Sequence, residues 1–175
     1  MQPVARALSS EETVNALTDL TQRAHALIAP AQTINIVNTV EYSVGYGPFV
    51  TIIRGQKDIT AAGSRFISEL DGTQPFEDCT TITSTFKQFV RVNQDYLNVL
   101  IAKAGLLDIA PPTVGKPMST SLREVKGVYE PISTSLISLC TSTAPELTLQ
   151  AKNLKETLDL TIQKYETLGQ RFQNN

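Results

Sequence analysis

The chain has 175 residues, and its 15 Lys and Arg against 17 Asp and Glu leave a net charge of -2. That length suits one domain with a sizeable core, and the cations are scattered rather than clustered, which excludes the basic footprint of a nucleic-acid or anionic-membrane binder. Charged residues make up 18%, below the roughly 25% of a typical soluble domain, and Ser and Thr fill the difference, a composition common on exported proteins that can carry O-linked sugar.

No run of about 18 apolar residues exists, so no membrane span is expected. Residues 1–20 lack the charged start and apolar stretch of a signal peptide, which reads as a mature or excised piece. Residues 1–8 are expected to be a loose lead-in and 9–175 a single helical domain. From Ser9 the run Ser-Ser-Glu-Glu is a helix start, a hydroxyl cap followed by acids over the positive helix end. Val14, Leu17, Leu20, Ala24, Leu27 and Ile28 then repeat at helical spacing until Pro30 interrupts them. Residues 31–44 are richer in Ile and Val, but a lone strand would have no partner, so an irregular or helical continuation is expected.

Gly45-Tyr46-Gly47-Pro48 is turn chemistry, with Pro48 suited to the first turn of a second helix. A dinucleotide fingerprint would need a third Gly and a preceding strand, so a plain turn is the better reading. The second helix carries Ile52, Ile53, Gln56, Ile59, Gly63, Phe66, Ile67 and Leu70 and ends at Asp71-Gly72. A third opens near Pro75 and Glu77-Asp78 and runs through Phe86, Phe89, Val90, Asn93, Tyr96, Leu97 and Leu100 to Ala104. Its length of about 26 residues would span roughly 39 Å.

Leu106 to Pro117, with Pro111-Pro112 and Gly115, is expected to be a connection. A fourth helix begins near Ser119 and carries Leu122, Val125, Tyr129, Ile132, Leu136 and Leu139, with a kink expected at Pro131. The fifth starts at Pro145-Glu146, and its stripe of Leu147, Ala151, Leu154, Leu158, Ile162, Tyr165, Leu168 and Phe172 is close to a heptad. Short links favour an all-α, five-helix up-and-down bundle.

Cys79 and Cys140 have no Cys or His within four residues, so zinc and other metals are not expected. They form either one disulfide or two buried thiols; the helix order, which puts the start of the third helix beside the end of the fourth, favours the disulfide.

Catalysis needs a nucleophile with its base, a tuned carboxylate pair or a metal. The single histidine, His25, has no acid on its own helix face, and the flanks of both cysteines lack a hydrolase signature. Asp58, Glu69, Asp95, Glu124 and Asp159 fit solvated helix faces. An enzyme is therefore not expected, and neither is a cofactor. What stands out is the apolar width of the third helix, which is either ordinary core or the wall of a lipid cavity. Gly55, Gly63 and Gly127, with Gln56, Ser121, Ser133 and Ser135 near apolar stripes, leave room and hydrogen-bonding capacity inside.

The run Phe86-Lys87-Gln88-Phe89-Val90-Arg91-Val92-Asn93-Gln94, continuing through Leu97-Asn98-Val99-Leu100-Ile101-Ala102-Lys103-Ala104-Gly105-Leu106, resembles the central helix of the lipid-binding domains of fungal antigenic cell-wall mannoproteins. These domains are similar to hydrophobic surface-binding proteins. Ala29-Pro30-Ala31-Gln32 with Ile34, Gly47-Pro48-Phe49 with Ile52-Ile53, Gly55, Asp58-Ile59 and Leu122-Arg123-Glu124-Val125 extend the resemblance over most of residues 13–168. The chain departs from that pattern at Gln56, where relatives carry Phe, and in its cysteine pair.

The resemblance implies a bundle enclosing a long apolar cavity that holds a fatty acid of palmitate or arachidonate type, in a protein secreted to the medium or the cell wall. The expected wall is Ile52, Ile53, Phe66, Phe86, Phe89, Val90, Tyr96, Leu97, Leu122, Val125, Tyr129, Ile132, Leu158 and Ile162. Since no basic residue is clearly placed on an inward stripe, Ser121, Ser135 and Gln56 are expected to hold the carboxylate. A monomer or weak dimer is expected. The rival functions are adsorption to hydrophobic surfaces, a structural wall mannoprotein without ligand and an unrecognised hydrolase.

Overall fold

The computed structural model describes residues 7–108 and 113–168. Most of the lead-in expected over 1–8, together with Pro111, Pro112 and Phe172, lies outside the described residues. Among the described residues seven α-helices stand where five were expected: α1 (Ser10–His25), α2 (Ile28–Gln32), α3 (Val37–Ser43), α4 (Pro48–Leu70), α5 (Thr80–Leu107), α6 (Gly115–Leu139) and α7 (Ala144–Glu166). A 3-10 turn, Thr141–Thr143, precedes α7, and no strand occurs among the described residues.

α1 starts as its sequence requires. Ser9 Oγ accepts from the Glu12 amide at 3.1 Å while Glu12 Oε1 accepts from the Ser9 amide, a reciprocal capping box. It ends at His25, short of Pro30, and His25 is exposed in its last turn. Pro30 instead takes the third position of α2, where an amide would have no intrahelical partner to lose. The same reason moves the start of α6 upstream, because Gly115 and Pro117 occupy its first and third positions. Pro131 lies inside an unbroken α6. It is exposed, as is Gly127, whose carbonyl loses its amide partner there, so water can satisfy the orphan.

Around the molecule α1 packs on α5, α5 on α7, α7 on α6, α6 on α4 and α4 back on α1, which closes a ring. α2 sits over α4 and α5, and α3 rests on α4. Leu8 N donates to Thr73 Oγ1, so α1 begins where α4 ends. α5 and α7 run parallel: Lys87 pairs with Glu146 near their starts, and Tyr165 OH donates to the Leu100 carbonyl near their ends. Gly115 at the start of α6 lies against the Tyr165 carbonyl at the end of α7, which makes that pair antiparallel. One end of the bundle thus gathers the starts of α1, α5 and α7, and the other gathers α2, α3 and the starts of α4 and α6.

At the first end Cys79 and Cys140 are joined, with Cα atoms 5.7 Å apart across a sequence separation of 61. Closing a loop of that length removes about 4 kcal/mol of unfolded-chain entropy in the polymer picture. Phe76 N donates to the Leu139 carbonyl and Thr83 Oγ1 bonds Thr143 Oγ1 beside it. Outward-facing threonines, among them Thr18, Thr85, Thr134, Thr148 and Thr167, donate to the carbonyl four residues earlier on their own helix.

Candidate functional site

The centre of the ring is aromatic. Phe89 of α5 meets Tyr129 of α6 edge to face at 4.9 Å and stacks on Phe86 at 5.7 Å. All of the expected apolar wall is buried here: Ile52, Ile53 and Phe66 from α4, Phe86, Phe89, Val90, Tyr96 and Leu97 from α5, Leu122, Val125, Tyr129 and Ile132 from α6, and Leu158 and Ile162 from α7 belong to one core cluster.

The glycines expected to leave room inside do not. A side chain at Gly55 would collide with Leu27, one at Gly63 would meet Val128 Cγ2 at 2.7 Å, and Gly127 faces open space at the surface. The first lets the link between α1 and α2 approach α4 and the second lets α6 do so, so the space is filled by neighbours.

A polar seam crosses this apolar centre. Gln56 Nε2 donates to Tyr96 OH at 2.7 Å, Tyr129 OH donates to Asn93 Oδ1 at 2.7 Å, and Asn93 Nδ2 donates to the Phe89 carbonyl. Burial pushes the phenols of Tyr96, Tyr129 and Tyr165 well above their ordinary range, so they remain neutral at physiological pH. Asn93 belonged to the expected helical stripe, but its role as a bridge between α5 and α6 carries no mark in the sequence.

Two of the three residues expected to hold a polar head, one inside this network and one outside it, carry an unmatched polar atom. Gln56 is 1% exposed and Ser121 is 2% exposed, and Gln56 Oε1 and Ser121 Oγ have no hydrogen-bond partner. Turning the Gln56 amide over would let Tyr96 donate to Oε1 and free Nε2 instead, so either orientation leaves one polar atom unmatched. Ser135 is half-buried on the α6 face that continues from Ser121. Ser133 is satisfied by the Tyr129 carbonyl at 2.8 Å.

Clefts reach this interior from the surface. One of about 360 Å³ lies between α6 and α7 over Tyr129, Ser133, Leu154 and Leu158, rimmed by Lys126, Lys152 and Lys155. Another of about 360 Å³ lies between α3, α4 and the first turns of α6, and Ile53, Ser121, Lys57 and Lys116 line it. Sequence reading did not bring these lysines to Ser121. Lys116 precedes it by five residues on α6, about 140° round the helix, and Lys57 and the neighbouring Tyr42 arrive on other elements. Among the described residues no group of three or more His, Cys, Asp or Glu is placed to hold a metal, and no helix is long and apolar enough to cross a membrane.

No protein-family model and no curated protein sequence matches the chain. The fold is similar to a solved structure from Penicillium marneffei, ligand binding domain 1 of the MP1 protein complexed with arachidonic acids, with a TM-score of 0.65. The match covers 87% of this chain and 98% of that one at 16% identity. That MP1 domain is complexed with arachidonic acids, and this chain shares its fold.

Proposed function

We propose that the protein binds and sequesters one class of small molecule, a long-chain fatty acid of palmitate or arachidonate type, and catalyses no reaction. The observation that carries this reading is the pair of unmatched polar atoms, Gln56 Oε1 and Ser121 Oγ, where the other buried side-chain polar atoms among the described residues have hydrogen-bond partners. A buried polar atom without a partner costs about 1–3 kcal/mol, and a carboxylate arriving there would accept from Ser121 Oγ–H and from the turned Gln56 amide. Arachidonic acid in the similar MP1 domain supports the same class of ligand.

Burying about 16 carbons at about 0.8 kcal/mol each supplies roughly 12 kcal/mol of gross driving force, less the cost of ordering the chain. The aromatic centre is packed in this state, so uptake requires the helices to part and give the tail its apolar cavity. In this reading residues 9–175 act as one lipid-binding domain of a secreted or cell-wall fungal mannoprotein, a monomer or weak dimer, whose removal of host lipid would make it an antigen with a part in virulence.

Mass spectrometry under native conditions with added palmitate or arachidonate tests it. A bound mass at near-unit stoichiometry is expected, and protein that stays ligand-free with both acids overturns the reading. One observation favours a second reading, adsorption to a hydrophobic surface: Ile36, Val37, Val40, Val44 and Tyr46, on and beside α3, are large apolar side chains left exposed, Val37 at 64% and Tyr46 at 71%. That reading expects interfacial adsorption without stoichiometric ligand.

A further inference from the structure

Resting on the fatty-acid reading, we infer that the bound chain is oriented: its carboxylate lies in the cleft between α3, α4 and the opening turns of α6, held by Ser121, Lys57 and Lys116, and its tail runs inward. Three independent observations meet at this place. Ser121 lines the cleft, is 2% exposed and has a hydroxyl without a partner. A free O–H at the inner end of an open cleft is a donor waiting for an acceptor.

The cations at the rim are the second observation. Lys57 and Lys116 line the same cleft, and neither takes part in an ion pair among the described residues. Glu124 is the one acid among the lining residues, so the rim keeps a net positive charge. The cleft between α6 and α7 provides the contrast. Its Lys126 and Lys155 are already paired with Asp159, and its Lys152 lies 4.0 Å from Glu156. Those cations are committed to their own surface, whereas the pair beside Ser121 is available to an incoming anion.

The third observation is the helix end itself. α6 opens with no side-chain cap and no acid in its first turn, and it places Lys116 there, on the end where the peptide dipoles already point positive. A cation at that position is mildly unfavourable to the helix and favourable to a bound anion. Ile53 on the inner wall of the cleft belongs to the apolar core, so a hydrocarbon tail passes from the cleft into the centre without crossing a charged group.

The test compares palmitate with methyl palmitate, which has the same chain without the charge. Affinities are measured on the intact protein, on Lys57→Gln/Lys116→Gln and on the control Lys152→Gln/Lys155→Gln. The intact protein and the control are expected to favour the acid by about tenfold, as a charge-assisted contact would. In the Lys57→Gln/Lys116→Gln variant that preference falls to near unity while affinity for the ester holds. A preference that survives in this variant, or that disappears in the control instead, overturns the orientation and leaves the fatty-acid reading standing. Equal binding of acid and ester by the intact protein does the same, and binding of neither overturns both.

Discussion

The two ends of the bundle are built to different standards. At one end lie the disulfide between Cys79 and Cys140, the capping box of α1 and the Thr83–Thr143 bond. At the other, Ser121 keeps an unused hydroxyl, and α3 turns its valines to solvent. The difference teaches where each kind of work is done. Natural folds violate local rules mainly where binding requires it and hold together elsewhere, so the proposed binding assigns stability to the linked end and recognition to the open one.

The comparison breaks most visibly if the link is removed. Cys79→Ala/Cys140→Ala is expected to lose about 4 kcal/mol in urea denaturation with the ratio of palmitate to ester affinity unchanged; a changed ratio would mean that the ends are not independent. Next comes the seam between them. Tyr129→Phe leaves Asn93 Oδ1 buried without its donor, and a loss of about 1–3 kcal/mol is expected, again read by urea denaturation. Ser9→Ala, at the linked end, removes the cap on the Glu12 amide and should cost about 1 kcal/mol, seen as a lowered Tm.

The smallest effect on stability is expected at the open end, and it sharpens the contrast most. Ser121→Ala removes a hydroxyl that bonds nothing, so the unliganded protein should keep its Tm or gain slightly while palmitate binding weakens. A lowered Tm there would show that the hydroxyl serves the fold rather than a ligand.

Much of this division was legible in the sequence. Ser9 with Glu12, Pro48 at the start of α4 and Pro145 at the start of α7 mark helix starts by local chemistry, and the apolar stripes mark the core. What escaped depends on contacts between distant segments. α1 stops at His25, with Leu27 packed into the notch left by Gly55, and no window around residue 27 contains Gly55. Gly55 and Gly63 suggested empty space because a sequence shows the missing side chain and not the neighbour that fills it. Prolines read as breakers at 30 and 117 sit in first turns, where the lost amide costs nothing. The open-end cleft escaped for the same reason as the α1 break, since Tyr42, Lys57 and Ser121 come from three helices.

The threonines that fold their hydroxyls back onto their own helices have one more effect. Thr18, Thr85, Thr134, Thr148 and Thr167 each spend the donor on a carbonyl four residues earlier, which turns a neutral polar surface inward on itself. Dissolved ions screen charges and leave such bonds alone. With 18% of its residues charged and most of its ion pairs exposed, the folded protein gains little from salt bridges that brine could weaken. Its melting temperature should therefore stay nearly level from dilute buffer to about 1 M sodium chloride, where the Debye length has shrunk to about 3 Å.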